Sequence, residues 1–575
     1  MRETRLRVKD VIDEAARHLA APTIGLETRP MARHEARFTN SGDLNIAGHE
    51  AAEATATSSQ STSSLRLAEI LAALSLATDL ANAFPIEKAL RNCLLAVQLG
   101  QRLGINGQAL SDVYYFSLLR SIGCTSYAYE EALAVGDDQN FRNAFAGLDS
   151  ADRTDVLRRA LSRLGEQAGP VGRARAIGGF LAHAPRLVEG MAAANCEAGS
   201  RLAERLSLSS GVRAALAELH ERWDGAGIPG HLAGQELSVA ARIGVFCHDV
   251  TVHGATATHE EVRQMVRGRA GGEHDPAVAT AFLSASDELL NGIEAGSVWD
   301  AALAAEPEPR PWIPASRLDE VTRAFADFAD LKSPYTLGHS SGVADLAASA
   351  IKRLGATDTE AASIRRAGQL HDLGRVSVSN AVWDRRGALS PADWERVRLH
   401  PYYSERLLDR SPVLRPYARL AGAHHERLDS SGYHRGSPAA LLPRAVRVLA
   451  AADAFHAMIE RRPHRAALEA TMASRQLQRE VSDGRLDEEA VEAVLAAAGQ
   501  QAERARREWP AQLTDREVDV LRLVVIGERN REIASQLFIS QETVRTHVRH
   551  IYEKVGLSSR AGLALFAMEH DLIRS

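Results

Sequence analysis

Cysteine is scarce in this chain of 575 residues, and aromatic residues make up only 5%. The four cysteines, Cys93, Cys124, Cys196 and Cys247, form no CxxC pair. That argues against a zinc ribbon or a dithiol redox motif and suits reduced thiols in a cytoplasmic protein. No apolar run approaches the roughly 18 residues needed to cross a bilayer, so no membrane partner is expected. The opening "MRETRLRVKDVIDEAARHL" has basic residues but no apolar core, unlike a secretory signal. There is no excess of positive charge either. The net charge is -6, so any contact with nucleic acid must come from a local face.

Ala, Leu and Arg dominate instead, and strand signals are sparse; both point to an all-α chain. The length suits three or four domains. Residues 38–64 are small, polar and aperiodic, so 1–64 reads as a tail and flexible linker. Helical periodicity starts near Leu65. "AEPEPRPWIP" (305–314) is a Pro-rich spacer between blocks at 65–300 and 315–499. A charged helix then stops at Trp509-Pro510, ahead of a compact unit at 511–575.

The two large blocks repeat each other. "LLRSIGCT" (118–125) has the frame of "QLHDLGRV" (369–376), and Gly123 and Gly374 are 251 apart, as are Gly104 and Gly355. "HERWDGAGIPG" (220–230) matches "HERLDSSGYHRG" (425–436) at an offset of 205, so the first copy carries roughly 46 extra residues between Gly123 and Asn195. The second copy holds His339, the pair His371-Asp372, His400, the pair His424-His425, and Asp453. Mixed imidazole and carboxylate donors suit iron, manganese, nickel or zinc. Two such ions can clamp a phosphate and generate hydroxide near neutral pH. Arg375, one turn past Asp372, can hold a phosphate oxygen.

The stretches "HDLGRVSVSNAVWDRRGALSPADWERVRLHP", "HHERLDSSGYHRG", "AADAFHAM" and "RRPHR" resemble the HD-GYP branch of the HD phosphohydrolases. The resemblance implies a helical fold and two divalent transition-metal ions, iron or manganese foremost. It assigns as ligands His339, His371, Asp372, His400, His424, His425 and Asp453. It also implies a phosphoester such as a cyclic dinucleotide as ligand or substrate, with Asp372 and Arg375 at the catalytic position. Tyr335 stands where three-metal members carry a carboxylate, so two metals are expected. The family's Asp-Gly-x-Gly-Tyr-Pro loop reads Asp429-Ser430-Ser431-Gly432-Tyr433-His434 here. In the first copy, Lys88, Arg120, Ser121, Asn195, Leu219 and His248 replace six of the seven ligands, and only His220 survives. That copy is either a structural relic or a ligand-sensing pocket in which Lys88 and Arg120 replaced the metals.

In the last segment, Thr514-x-x-Glu517 is a capping box, Gly527 ends a helix, and Asn530 and Ser540 can cap the next two. Val544, Val548, Ile551 and Val555 form one buried stripe; Arg545 and Arg549, four apart, share another face. The segment resembles a LuxR/FixJ-type helix-turn-helix throughout, including "REIASQL", "TVRTHV" and "IYEKVG". The resemblance implies a four-helix domain on double-stranded DNA. Thr543, Arg545, Thr546 and Arg549 would face the groove, Asn530 and Arg531 would face the backbone, and the helix near Ala561–His570 would support a homodimer. The expected protein is a transcriptional regulator controlled by its HD-GYP-like domain. A phosphohydrolase with an accessory helix-turn-helix, and a sensor that binds without turnover, are the alternatives.

Overall fold

The computed structural model describes residues 64–149, 152–165, 169–294, 296–502 and 509–573. The tail and linker expected over 1–64 therefore lie outside the described residues, Ser64 apart, and so do 503–508 of the expected charged helix. The fold is all-α with a two-stranded sheet. None of the described helices is long and apolar enough to cross a membrane.

Local chemistry sets the helix ends. Thr258, Thr357 and Thr514 each cap a helix reciprocally with the Glu three residues on. Ser209, Ser238 and Ser540 each accept the backbone N–H of the third residue on. Two expectations need correction. Helix does not begin at Leu65: Ser64–Arg66 is a strand paired antiparallel with Trp312–Pro314, inside the expected spacer, and the first helix is Leu67–Ala81. Nor does Asn530 cap a helix. It is the first helical residue after Arg529, whose N–H donates to the Glu532 carboxylate at 2.7 Å. The carboxylate three residues on already takes that role, so the Asn side chain is spare.

The two copies share a frame. Lys88–Arg102 answers His339–Arg353, and Gly107–Leu119 answers Asp358–Leu370. Ser210–Ala217 answers Arg415–Ala421, and Val239–Gly254 answers Arg444–Ile459. Lys88 and His339 each open a helix after a left-handed residue, Glu87 (φ 72°) and Gly338 (φ 74°). The shared glycines have a steric cause: a Cβ on Gly374 would lie 2.1 Å from the His400 carbonyl oxygen, and one on Gly123 would lie 2.1 Å from that of Asn195.

The insertion of the first copy builds the helices Ala128–Val135, Asp138–Phe145 and Arg153–Arg163 and lengthens Pro170–Arg205. Val135, Phe141, Ala160, Leu164, Ala176, Phe180 and Leu187 give it a small core of its own. Asp138 ties it to the second copy. Its carboxylate accepts from Lys332 at 2.7 Å, the Ser379 hydroxyl at 2.7 Å and the Asn380 amide at 2.8 Å.

A single hydrophobic core runs from Leu67 to Leu572 and includes the C-terminal helices. The helix Arg560–Glu569 packs on Pro170–Arg205, and Ala561 to Met568 are all buried. The Glu197 carboxylate accepts the Ser558 and Ser559 amides, Arg201 pairs with Glu569, and Arg461 pairs with Glu528. Val544 and Ile551 of the expected stripe are buried outright, whereas Val548 and Val555 are only partly covered.

Candidate metal centre

Five helical elements bring the seven expected ligands together. His339 opens one helix, His371 and Asp372 follow Leu370 at the end of the next, His400 opens a third, and Asp453 lies inside Arg444–Ile459. His424 and His425 follow the short helix ending at Ala421. His339, His371, His400 and His424 are at most 2% exposed. A burial this deep for polar side chains demands partners.

Asp372 divides the cluster. Its Oδ1 lies 3.2 Å from His400 Nε2 and 3.7 Å from His424 Nε2. Its Oδ2 lies 3.6 Å from His371 Nε2 and 3.8 Å from His339 Nε2. Asp453 Oδ1 stands 3.3 Å from His339 Nε2, and its Oδ2 3.6 Å from His425 Nδ1. The donors thus form two groups within reach of one ion each: His339, His371 and Asp453, and His400, His424 and His425. Asp372 offers one oxygen to each.

The imidazoles are oriented for ligation. Nδ1 of His371, His400 and His424 each donates to the carbonyl three residues back, on Gly368, Val397 and Ala421, at 2.6 Å. That leaves Nε2 of all three as a bare acceptor aimed inward. His371 Nε2 is buried without a partner, and His400 and His424 bring their Nε2 atoms to 3.1 Å of each other. Facing lone pairs repel unless a cation lies between them, so the donor set fits divalent transition metals. Burial, with His371 and His400 adjacent, pushes His424 down to about 3, which keeps its lone pair free. Burial alone would raise the Asp372 and Asp453 carboxyls, but the surrounding imidazoles hold both well below the usual range.

Three neighbours flank the ligands; Tyr433 belongs to the loop read in the sequence, whereas Trp383 and Glu460 had no signal there. Trp383 carries Arg375 on its ring at 3.7 Å, where the guanidinium also stands 3.4 Å from Asp372. Tyr433 lies over His425 at 4.6 Å between centroids. Glu460 accepts from His339 Nδ1 at 2.9 Å while holding Arg462 at 2.7 Å and His456 at 2.9 Å. With Arg462 on its carboxylate, Glu460 is placed to orient His339, and with His339 and His456 it also forms a further group of possible donors. Removing such an orienting partner weakens metal binding about 10- to 100-fold. Glu460→Ala should show that loss in a chelator competition with manganese, while Glu460→Gln, which can still accept, retains more of the affinity. Ser430 adopts the left-handed backbone (φ 63°) usual for Gly, and Glu426 accepts the amides of Arg435 at 2.9 Å and Ser437 at 2.6 Å.

The matching place in the first copy is basic. Lys88 Nζ is hydrogen-bonded to His248 Nδ1, and Arg120 Nε and His220 Nε2 are buried without partners. Burial and the Arg120 charge push Lys88 well down. Asp249, Glu273 and His274 also cluster in this copy. Arg269 already pairs with both of these carboxylates, at 3.5 and 3.0 Å, which supplies their countercharge.

In the C-terminal domain, Arg531, Thr543, Arg545 and Arg549 are exposed, and Asn530 and Thr546 are half-buried. Arg545 and Arg549 meet only Glu542 (3.1 Å) and Glu553 (3.8 Å) on their own helix. Thr543 turns to the cap, its N–H donating to Ser540 Oγ at 3.0 Å.

Residues 323–490 match the family model of the HD domain, and residues 511–567 that of bacterial regulatory proteins of the luxR family. The 3'3'-cGAMP-specific phosphodiesterase 3 of Vibrio cholerae is 29% identical over 406 residues, 70% of this chain and 88% of that protein. A solved structure of a cyclic GMP-AMP-specific phosphodiesterase of V. cholerae superposes with a TM-score of 0.53 at 25% identity, over 76% of this chain and 98% of that one. An uncharacterized transcriptional regulatory protein of Bacillus subtilis is 48% identical over 61 residues, 11% of this chain and 28% of its own length. The chain thus carries an HD domain joined to a C-terminal helix-turn-helix domain of the luxR family.

Proposed function

We propose that the chain is a DNA-binding regulator whose second half binds two divalent metal ions, iron or manganese, and cleaves a cyclic dinucleotide. The placement of Asp372, with one oxygen toward each of two histidine groups, carries this reading. His339, His371 and Asp453 would hold one ion, His400, His424 and His425 the other, and Asp372 both. When bound, such ions supply Lewis acidity and lower the pKa of coordinated water. The chain's own groups do the rest. Arg375, steadied on Trp383, donates to a non-bridging phosphate oxygen, and Tyr433 stands against His425 beside the ligands. Cleavage by water breaks one P–O ester bond, leaving a phosphate on one ribose and a hydroxyl on the other. Turnover of a panel of 3',3'-linked cyclic dinucleotides by metal-loaded protein, read by chromatography of the products, tests it. Tight binding with no product would instead support a sensor.

Control of DNA follows from the docked C-terminal domain. Glu460, which orients His339, is adjacent to Arg461, which pairs with Glu528 at the turn before the second helix of that domain. Changes at the metal centre thus reach the helix-turn-helix through two consecutive residues. The helix Arg560–Glu569, where a homodimer would form, is covered by Pro170–Arg205. Pairing on two half-sites would require its release, and tethering two domains raises affinity by making the second contact intramolecular. Arg545→Ala or Arg549→Ala should cost about 1–3 kcal/mol on a specific site if a base contact is lost. A lost phosphate contact weakens all sequences alike and flattens the salt slope. Fluorescence anisotropy at several salt concentrations separates the two; unchanged affinity in both variants refutes the groove-facing assignment. If metal and nucleotide leave DNA affinity unchanged while turnover is intact, the alternative holds: an enzyme whose helix-turn-helix is accessory.

A further inference from the structure

We propose that the first copy is a metal-independent anion site that takes a phosphate group on Lys88, Arg120, His220 and His248. These residues occupy the positions that His339, His371, His425 and Asp453 hold in the second copy. They differ in sign of charge: a carboxylate and three imidazoles have become two cations and two imidazoles. Lys88 is 7% exposed and His248 5% exposed. Arg120 makes no hydrogen bond or ion pair within the described residues, and its Nε is buried without a partner, as is His220 Nε2. The facing carboxylates are committed elsewhere. Asp249 and Glu273 pair with Arg269, and both oxygens of Asp79 stand 3.2 Å from the Ala89 amide that they cap.

Arg120 is half-buried with its Nε out of water, and the carboxylates that act on its charge, Asp249 and Glu273, are shared with Arg269; holding the guanidinium there is costly, and the cost falls when an anion arrives. Guanidinium and ammonium donors are the usual holders of phosphate oxygens, the first through paired N–H groups. His220 adds a further polar atom with an unused valence. The Phe84 ring stands 4.9 Å from Lys88 Nζ and borders His248 at 5.9 Å, so one wall is aromatic. The helix Leu67–Ala81, which carries Asp79, packs on Leu373–Ser377, the turn just after Asp372. An occupant here would therefore press on the element that supports the metal centre. The ligand chemistry is a phosphate group, from inorganic phosphate or from a nucleotide.

The test uses the full chain carrying Asp372→Ala, which disables the other site, with and without Arg120→Met or Lys88→Met. Calorimetry with inorganic phosphate, a nucleoside monophosphate and a cyclic dinucleotide should show one site per chain on the unaltered first copy. Phosphate binding as tightly as the nucleotides assigns a free anion; nucleotides binding at least about tenfold tighter assign a nucleotide. Either methionine variant should weaken binding about tenfold or more, the worth of a charged hydrogen bond. Arg120→Met should also raise the melting temperature without ligand, because an uncompensated charge has gone, and should abolish the rise produced by the probe. The proposal is overturned if no probe binds stoichiometrically. It is equally overturned if both variants bind as before and simply melt earlier.

Discussion

Asp372→Ala is expected to lose at least one metal ion per chain and any phosphodiesterase activity. Asp372 faces two histidines of each group, at 3.2 and 3.7 Å with one oxygen and 3.6 and 3.8 Å with the other, whereas Asp453 reaches the second group at His425 alone. Without it, two dications would sit among neutral imidazoles with only Asp453 between them, and their mutual repulsion rises as the shared negative charge goes. Metal ions contribute several kcal/mol to hydrolytic transition states, so activity should fall on the order of a thousandfold or more. Replacing Arg120 and Ser121 together by Ala should leave the metal count unchanged, since neither lies near the seven donors. Elemental analysis of the wild type and both variants, loaded identically with manganese or iron, decides the matter. A wild type that takes up neither metal would end the catalytic reading.

Asp138→Ala should produce the largest loss of stability among single changes outside the metal centre. The carboxylate is 0% exposed and the Lys332 side chain 3% exposed, so the pair is out of water. Burial by itself would raise the Asp138 carboxyl, but Lys332, Arg142 and the Ser379 hydroxyl outweigh it and hold it below its ordinary value. Removing one partner strands Lys332, whose ammonium then loses the carboxylate it is bonded to, at a cost of about 3–5 kcal/mol. The loss should appear as early opening of the insertion in hydrogen exchange, since Asp138 ties that insertion to Ser379 and Asn380. Because the folded-state pKa is depressed, the contribution is complete at neutral pH and is lost as pH falls through the folded value. Wild type and variant should therefore converge in acid. Asp138→Leu combined with Lys332→Met should recover most of the loss, because neither charge is then left alone. A double variant as unstable as the single one would mean that packing, and not charge, sets the effect.

Much of the site was legible because its chemistry is local. His371-Asp372 and His424-His425 are adjacent in the chain, and a helix end turns neighbours toward different partners without help from distant residues. Helix boundaries at Thr514, Ser540 and Gly527 were readable for the same reason, since caps act over three or four residues. Asn530 shows the limit: a residue able to cap was displaced by Arg529 and Glu532, one position away. Glu460 and Trp383 carried no motif because their importance lies in where a helix and a turn place them. Ser430 stands where the family loop has Gly, and its backbone takes the left-handed conformation there while the Glu426 hydrogen bonds secure the loop from outside.

The sequence by itself determined the helical class, the duplication, the candidate donor residues and the kind of terminal domain. Each of these is encoded by periodicity, capping or spacing over short distances. Only the tertiary structure decided that Asp372 stands between two histidine groups, that Arg120 and His220 are left unpaired, and that Glu197 and Arg461 hold the C-terminal domain. It also decided that the strand at Ser64–Arg66 closes on Trp312–Pro314. These depend on residues hundreds of positions apart meeting in a shared core. Desolvation there makes each charge costly until a partner is found, and no local pattern records which partner that will be.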